Sequence, residues 1–301
     1  MLSELKKAYV AVALTVVVWA SAFAGIAYGL RYFQPTHLVL FRFLVASASL
    51  GAYALLRGIR RPDARDLPRM AVLGMFGISV YHLCLAFGQR HVPAGTASLI
   101  VATVPIWTAL LGRALGQERL RLSGWAAIAI SFAGVALIVL ARAGEISFSL
   151  SAALVVVSAI STSAMYVLQT PIVKKYGSID WTIYCVWFGT LPLLVFAPGL
   201  GDALRAAPWS AILAVVYIGS LPVYCYITWS YALLHLSPTF TTSFLNIGPI
   251  FTFLIAWFWI GEVPTLLTVI GGIIAIGGVL VLNLFGRAKQ PLKNSALRPN
   301  V

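Results

Sequence analysis

Apolar residues do not alternate with polar ones along this chain. They run in unbroken blocks of about twenty, separated by short clusters rich in Arg, Lys, Pro, Gly and Asp. Each block is long enough to cross ~30 Å of hydrocarbon as a helix. Backbone groups in lipid must find partners within the chain, which leaves helices or closed barrels, and continuous runs select helices. The blocks predict ten spans, near residues 8–30, 36–56, 68–90, 93–115, 121–142, 148–171, 180–198, 208–234, 238–260 and 264–286. The 301 residues are 60% hydrophobic and 10% charged, against about a quarter charged in a soluble domain. The expected fold class is therefore an all-α polytopic membrane protein, not a soluble globule.

The formal charge of +13 resembles that of a nucleic-acid binder until it is placed. Sixteen of the 21 basic residues, from Lys6 and Lys7 through Arg57–Arg69, Arg113–Arg121 and Lys174–Lys175 to the tail, fall in one alternating set of connections. The other set holds only Arg31, Arg90, Arg142 and Arg205, and Arg42 lies inside a span. This asymmetry predicts that both termini are cytoplasmic. The charge then serves orientation and contact with the lipid bilayer, and no soluble face remains for nucleic acid. Lys6-Lys7 and Ala20-Ser21-Ala22 mimic a signal peptide, but the apolar run continues to Leu30, longer than a signal core. Cys84, Cys185 and Cys225 sit in apolar runs at no metal-like spacing and read as packing residues.

The halves repeat. At an offset of 144, Tyr32 falls on Tyr176, His91 on His235, Pro105 on Pro249, Glu118 on Glu262 and Gly134 on Gly278, and VPIWT lies over GPIFT. Near the start of each half the offset slips by two, so that Ser21-Ala22 meets Ser163-Ala164. Five spans per copy is an odd number, so the second copy must enter the membrane upside down. Two inverted-topology five-helix repeats are the pattern of secondary transporters that bind solute between the halves. The expected division is 1–145, 146–288 and a disordered cytoplasmic tail 289–301, with the boundary near Gly144–Phe148.

In the fourth span Gly95, Ser98, Ala102, Pro105, Ala109 and Gly112 share one helix face; the ninth offers Thr239, Thr242, Asn246, Pro249, Phe253 and Ala256. Pro105 and Pro249 each remove a backbone donor, so two kinked helices either line a central cavity as gates or pack tightly through small residues. Asn246 at mid-span favours the cavity, because a carboxamide facing lipid is costly. The third span presents Gly74, Gly77, Tyr81, Cys84 and Gly88 with His82 beside them; the eighth presents Gly219, Tyr224, Tyr226, Trp229 and Tyr231. Tyr81, His82 and Tyr224 lie too deep for an interfacial belt and read either as cavity lining or as ordinary packing. Arg42 stands about 10 Å of helix rise from Pro35, hence shallow on the external side. It either binds a substrate carboxylate or, the preferred reading, anchors helix carbonyls. Glu118 and Glu262 at matching span ends read as structural partners. The candidate substrate contacts are Trp19, Arg42, Tyr81, His82, Ser98, Tyr166, Trp187, Tyr224, Trp229 and Asn246, with Pro105 and Pro249 as kinks.

Trp19-Ala20-Ser21-Ala22-Phe23 in the first span, Phe41-Arg42-Phe43 in the second, Ile260-Gly261-Glu262 closing the ninth and the paired five-span architecture resemble EamA-type exporters of the drug/metabolite transporter superfamily. The resemblance covers about residues 8 to 286; Gly116-Gln117-Glu118 departs from the usual Gly-Glu. It implies a bacterial inner-membrane exporter of amino acids or similar small metabolites, akin to the aromatic-amino-acid export branch. All eight acidic residues lie in tails, loops or helix ends, which disfavours exchange of a proton for a cationic drug. A neutral or zwitterionic solute moving by uniport fits better, with His82 the one candidate proton carrier at depth. A proton-coupled antiporter and a gated channel are the alternatives. The four histidines form no His-Glu-x-x-His helix, and Ser79 near His82 is a chance spacing, so no enzyme, metal or cofactor is expected. The expected partners are a small solute and the bilayer, with a monomer as the oligomeric state.

Overall fold

The computed structural model describes residues 2–116, 120–140, 146–236, 241–242 and 244–286. Gly144 and Glu145 of the predicted boundary, Glu118, Thr239 and the tail lie outside them. Among the described residues the chain is helical: α1 (Leu2–Gly29), α2 (Pro35–Arg57), α3 (Leu67–Gly88), α4 (Ala94–Ala114), α5 (Leu122–Leu140), α6 (Ile146–Leu168), α7 (Ser178–Phe196), α8 (Trp209–His235), α9 (Phe244–Ile260) and α10 (Leu266–Phe285). Eight of these are long and apolar enough to cross a bilayer, and α5 and α9 supply shorter apolar helices. Short helices at Thr170–Tyr176 and Leu200–Ala206 join α6 to α7 and α7 to α8.

The prolines mark restarts. α4 breaks between Val101 and Val104, and Pro105 sits in the first turn of its second piece, where no amide hydrogen is required. α9 opens with a tight turn, Phe244–Ile247, and Pro249 again occupies the first turn of the regular helix that follows. Hydroxyls serve the backbone at both restarts: Thr108 Oγ1 donates to the Val104 carbonyl at 2.8 Å, and Thr252 Oγ1 to that of Gly248 at 3.1 Å. These two bonds stand 144 residues apart, donor on donor and acceptor on acceptor. Because α4 is interrupted, the small-residue face proposed for the fourth span is not one straight stripe.

Helix pairings recur in exchanged form. α1 packs on α8 and α9, as α6 packs on α3 and α4; α2 packs on α8 as α7 packs on α3; α5 and α10 pack on each other. That is the pattern of an operation that swaps the two copies. The α5–α10 seam is backbone against backbone. A Cβ added at Gly134 would lie 2.6 Å from the Gly271 carbonyl oxygen, and one at Gly278 would lie 2.7 Å from that of Ala127. Ser131 Oγ donates across the seam to the Ala275 carbonyl at 2.6 Å.

The helix ends are tied down at both faces of the bundle. Gly261, at φ 73°, takes the left-handed conformation that ends α9. It turns Glu262 back so that its carboxylate accepts from the Ala94 amide, the first of α4, at 2.8 Å. Arg31 donates to the Ile260 carbonyl beside it. Burial holds the Glu262 carboxyl above the ordinary carboxylate range, against the pull of the Ala94 and Gly95 amides and Arg31. At the opposite face Lys175 binds Asp63 and Asp66, and Tyr176 donates to Asp66 at 2.5 Å. The Lys175 and Tyr176 hydrogen bonds hold Asp66 below its ordinary value.

Gly134→Ala should cost ~1–3 kcal/mol, the usual penalty of forcing a methyl into filled space, read as a lowered unfolding midpoint in detergent. Gly277→Ala, whose Cβ meets nothing within 4 Å, should leave the midpoint unchanged or raise it, because alanine is the better helix former. For Glu262 the raised value means that the fold favours the protonated form. Wild-type stability should rise as pH falls through that value, the gain being complete below the ordinary ~4.3. Glu262→Gln keeps the acceptor for Ala94 and should abolish this dependence without loss at pH 7, whereas Glu262→Leu should destabilise at every pH.

Candidate functional site

Between the halves lies a cavity walled mainly by apolar and aromatic side chains. Trp19 and Phe23 come from α1, Arg42 from α2, Tyr81 and His82 from α3, Tyr166 from α6, Tyr226 from α8 and Leu245 from α9. Both edges of the α4 break, Val101 and Val104, face it. About 50 Å³ is open to the centre of a water molecule, room for roughly four waters at ~10–15 Å³ each. A solute larger than that requires the walls to part.

Local backbone features aim the polar groups. A π-helical stretch, Met75–Val80, immediately precedes Tyr81; such insertions rotate the following side chains relative to a regular helix. α3 can come close to α7 because Gly74 and Gly189 meet without side chains, and Ser79 Oγ donates to the Gly189 carbonyl at 2.6 Å.

A chain of hydrogen bonds with a fixed direction crosses the cavity wall. Arg42 Nε donates to the Ile218 carbonyl at 2.9 Å, and its Nη1 lies 3.1 Å from His82 Nδ1. Arginine has donors only, so Nδ1 accepts. His82 is then the neutral tautomer with its proton on Nε2, which donates to Tyr226 Oη at 2.8 Å. The Tyr226 hydroxyl hydrogen is left to point elsewhere. His82 and Tyr226 are 144 residues apart, the offset of the repeat. The two copies therefore place these side chains at equivalent positions, and the pair meets at the seam between them.

Arg42 is 3% exposed, and among the described residues no carboxylate pairs with it. A cation taken out of water without a counter-ion costs several kcal/mol. Two donor bonds and the Phe43 ring, 5.4 Å from the guanidinium carbon, offset only part of that. Arg42 anchors a helix carbonyl, that of Ile218, as the preferred sequence reading has it; its head group is buried and also forms part of the cavity wall, deeper than the shallow position expected. His82, the one candidate proton carrier at depth, has its Nδ1 occupied by the Arg42 donor and its Nε2 directed at Tyr226.

Five of the ten candidate contacts converge on the cavity: Trp19, Arg42, Tyr81, His82 and Tyr166. Trp229 stands behind them, its ring 4.9 Å from that of Trp19 and 5.1 Å from that of Tyr166. Asn246 adjoins Leu245; it is 5% exposed, and neither carboxamide atom has a partner among the described residues. The remaining three are elsewhere. Tyr224 is 60% exposed on an outer groove with Lys6 and Lys7. It lies two residues from Tyr226, about 200° around the helix, so both cannot face inward. Ser98 is buried against its own helix, donating to the Gly95 carbonyl. Trp187 donates to the Ser47 carbonyl and meets Tyr184 edge to face, away from the cavity. Tyr226, read from sequence only as one aromatic of a stripe, is a wall residue; the 144-residue step from His82 would have marked it.

The sequence profile of the EamA-like transporter family matches residues 6–140 and again 149–284. The uncharacterized transporter YdfC of Bacillus subtilis is 41% identical over 268 residues, 88% of this chain and 87% of that protein. A probable terminal-alkyne amino-acid exporter of Streptantibioticus cattleyicolor is 37% identical over 290 residues, 95% of this chain and 97% of that one. A solved crystal structure shares the fold, with a TM-score of 0.64 at 21% identity over 91% of this chain and 95% of that chain. Two copies of the family domain, on a helical bundle with eight apolar helices of membrane-crossing length, make this chain a multi-pass membrane protein of the EamA-like transporter family.

Proposed function

We propose that this protein exports neutral, hydrophobic or aromatic amino acids across the bacterial inner membrane by alternating access, as a uniporter. The observation that carries the reading is Arg42, a buried cation without a counter-ion in a cavity otherwise walled by aromatic and aliphatic side chains. A zwitterion with an apolar side chain complements both features: its carboxylate offsets the guanidinium, and its side chain displaces water from the rings. The amino-acid exporter among the relatives supports the same class. Uniport is supported by the lack of any cavity carboxylate among the described residues and by the donor that Arg42 supplies to His82.

In this reading all ten helices cross the membrane as two inverted five-helix repeats, 1–145 and 146–288, with both termini cytoplasmic. The exchanged helix pairings support the inversion, and the basic connections support the orientation. The restarts at Pro105 and Pro249 are the moving gates, since each half-helix can swing without breaking a backbone bond that the prolines already forgo.

Radiolabelled phenylalanine and leucine should enter proteoliposomes saturably, with or without a pH gradient. Uphill movement driven by the gradient would overturn uniport. Arg42→Gln should reduce amino-acid flux about 10- to 150-fold, the loss of a hydrogen bond to a charged group worth ~1.5–3 kcal/mol. Arg42→Lys should retain part of the flux, because the charge remains while the fork geometry is lost. Asn246→Leu should leave the unfolding midpoint unchanged or raise it, since it removes a buried carboxamide with no partner, yet slow transport. Wild-type flux in that variant would remove Asn246 from the solute path.

A further inference from the structure

A second chamber lies beyond the central cavity, toward the end of the bundle that carries Lys174 and Lys175. Tyr226 is common to the walls of both. The chamber is enclosed by buried side chains of α3, α6, α7 and α8, among them Ile78, Met165 and Cys185. Three more of its wall residues carry buried polar atoms with no partner among the described residues: Gln169 Nε2, Thr182 Oγ1 and Trp229 Nε1. These residues are 1%, 2% and 1% exposed.

Their chemistry is one-sided. The Trp181 indole, which can only donate, gives its hydrogen to Gln169 Oε1 at 2.6 Å. That fixes the amide, so the Gln169 NH2 group is the unpartnered end. The Trp229 indole also only donates, and the Thr182 hydroxyl can do so. Buried polar groups in folded proteins are nearly always hydrogen-bonded. Three such groups around one space therefore indicate an occupant that accepts. About 10 Å³ is open to the centre of a water molecule, room for one water in this conformation. Parting of the same walls that admit solute to the central cavity enlarges this chamber too, because Tyr226 belongs to both.

We propose that Gln169, Thr182 and Trp229 form a second docking station for the carboxylate of the transported solute, one step from Arg42 along the path to that end of the bundle. The proposal rests on the amino-acid reading above. It gives the carboxylate uncharged donors to hold after it leaves the guanidinium, so that Arg42 is not a trap. Water holds the same donors when no solute is present.

Phenylalanine and phenylalaninamide, which lacks the carboxylate, are compared in proteoliposomes carrying wild type, Gln169→Glu, Thr182→Val and Trp229→Phe. Gln169→Glu keeps the acceptor for Trp181 while putting an oxygen where the NH2 group was. Trp229→Phe keeps an aromatic ring against Trp19 and Tyr166. Each variant should lower Vmax/KM for phenylalanine at least fivefold more than for phenylalaninamide. Equal losses for both solutes, or none, overturn the station and leave a packing or water site. A second readout is independent of transport. In protein labelled with ¹⁵N at its indoles, phenylalanine should move the resonance that Trp229→Phe deletes, and phenylalaninamide should not. If wild type carries neither solute but that resonance moves, the transport reading fails while carboxylate binding at these donors stands. An unmoved resonance with transport intact defeats the station alone.

Discussion

A peptide group in hydrocarbon has no partner but another peptide group or a side chain brought to it. Every other feature of this bundle answers to that constraint. It makes the chain helical wherever it faces lipid, and it permits irregular backbone only where protein encloses it. The interruptions obey it. The break after Val101 is buried, and the tight turn at Phe244–Ile247 buries Asn246 while Ile247 stays exposed; Val101 and Leu245 lie on the cavity wall. The carbonyls nearby are served by threonine hydroxyls. A wall that includes backbone restarts can change shape with less loss of bonding than a continuous helix can.

The same constraint governs the cavity's polarity. Its rings and aliphatic chains leave room for only a few waters, and that scarcity of water is what makes an uncompensated guanidinium costly. Arg42 can stay there because the Ile218 carbonyl and His82 each take one of its hydrogens. One of these partners comes from the other copy of the repeat, so the charge is supported only when the two halves are assembled.

The sequence carried the helices well and the site unevenly, for physical reasons. Block length and basic loops are local properties, and helices close to each predicted span are found. Residue depth is also local; it marked Tyr81, His82 and Tyr224 alike, of which the first two line the cavity and Tyr224 does not. Facing is not local. Tyr224 and Tyr226 share a depth but differ by half a turn, and only the packing of α8 on α1 and α2 decides which looks inward. Which carbonyl Arg42 anchors is not local either, since Ile218 is 176 residues away. Gln169 and Thr182 were passed over because they sit near span ends, where polar side chains need no explanation until the burial is known. The repeat offset was the strongest unused clue, since it pairs His82 with Tyr226 directly.

That pair breaks the symmetry of the duplication at the point where the two copies meet. Two histidines or two tyrosines facing each other there could exchange donor and acceptor freely, leaving a degenerate contact with no preferred polarity. Unlike partners lift the degeneracy. The two copies differ at many other positions, and at this one the difference fixes which side donates and which accepts.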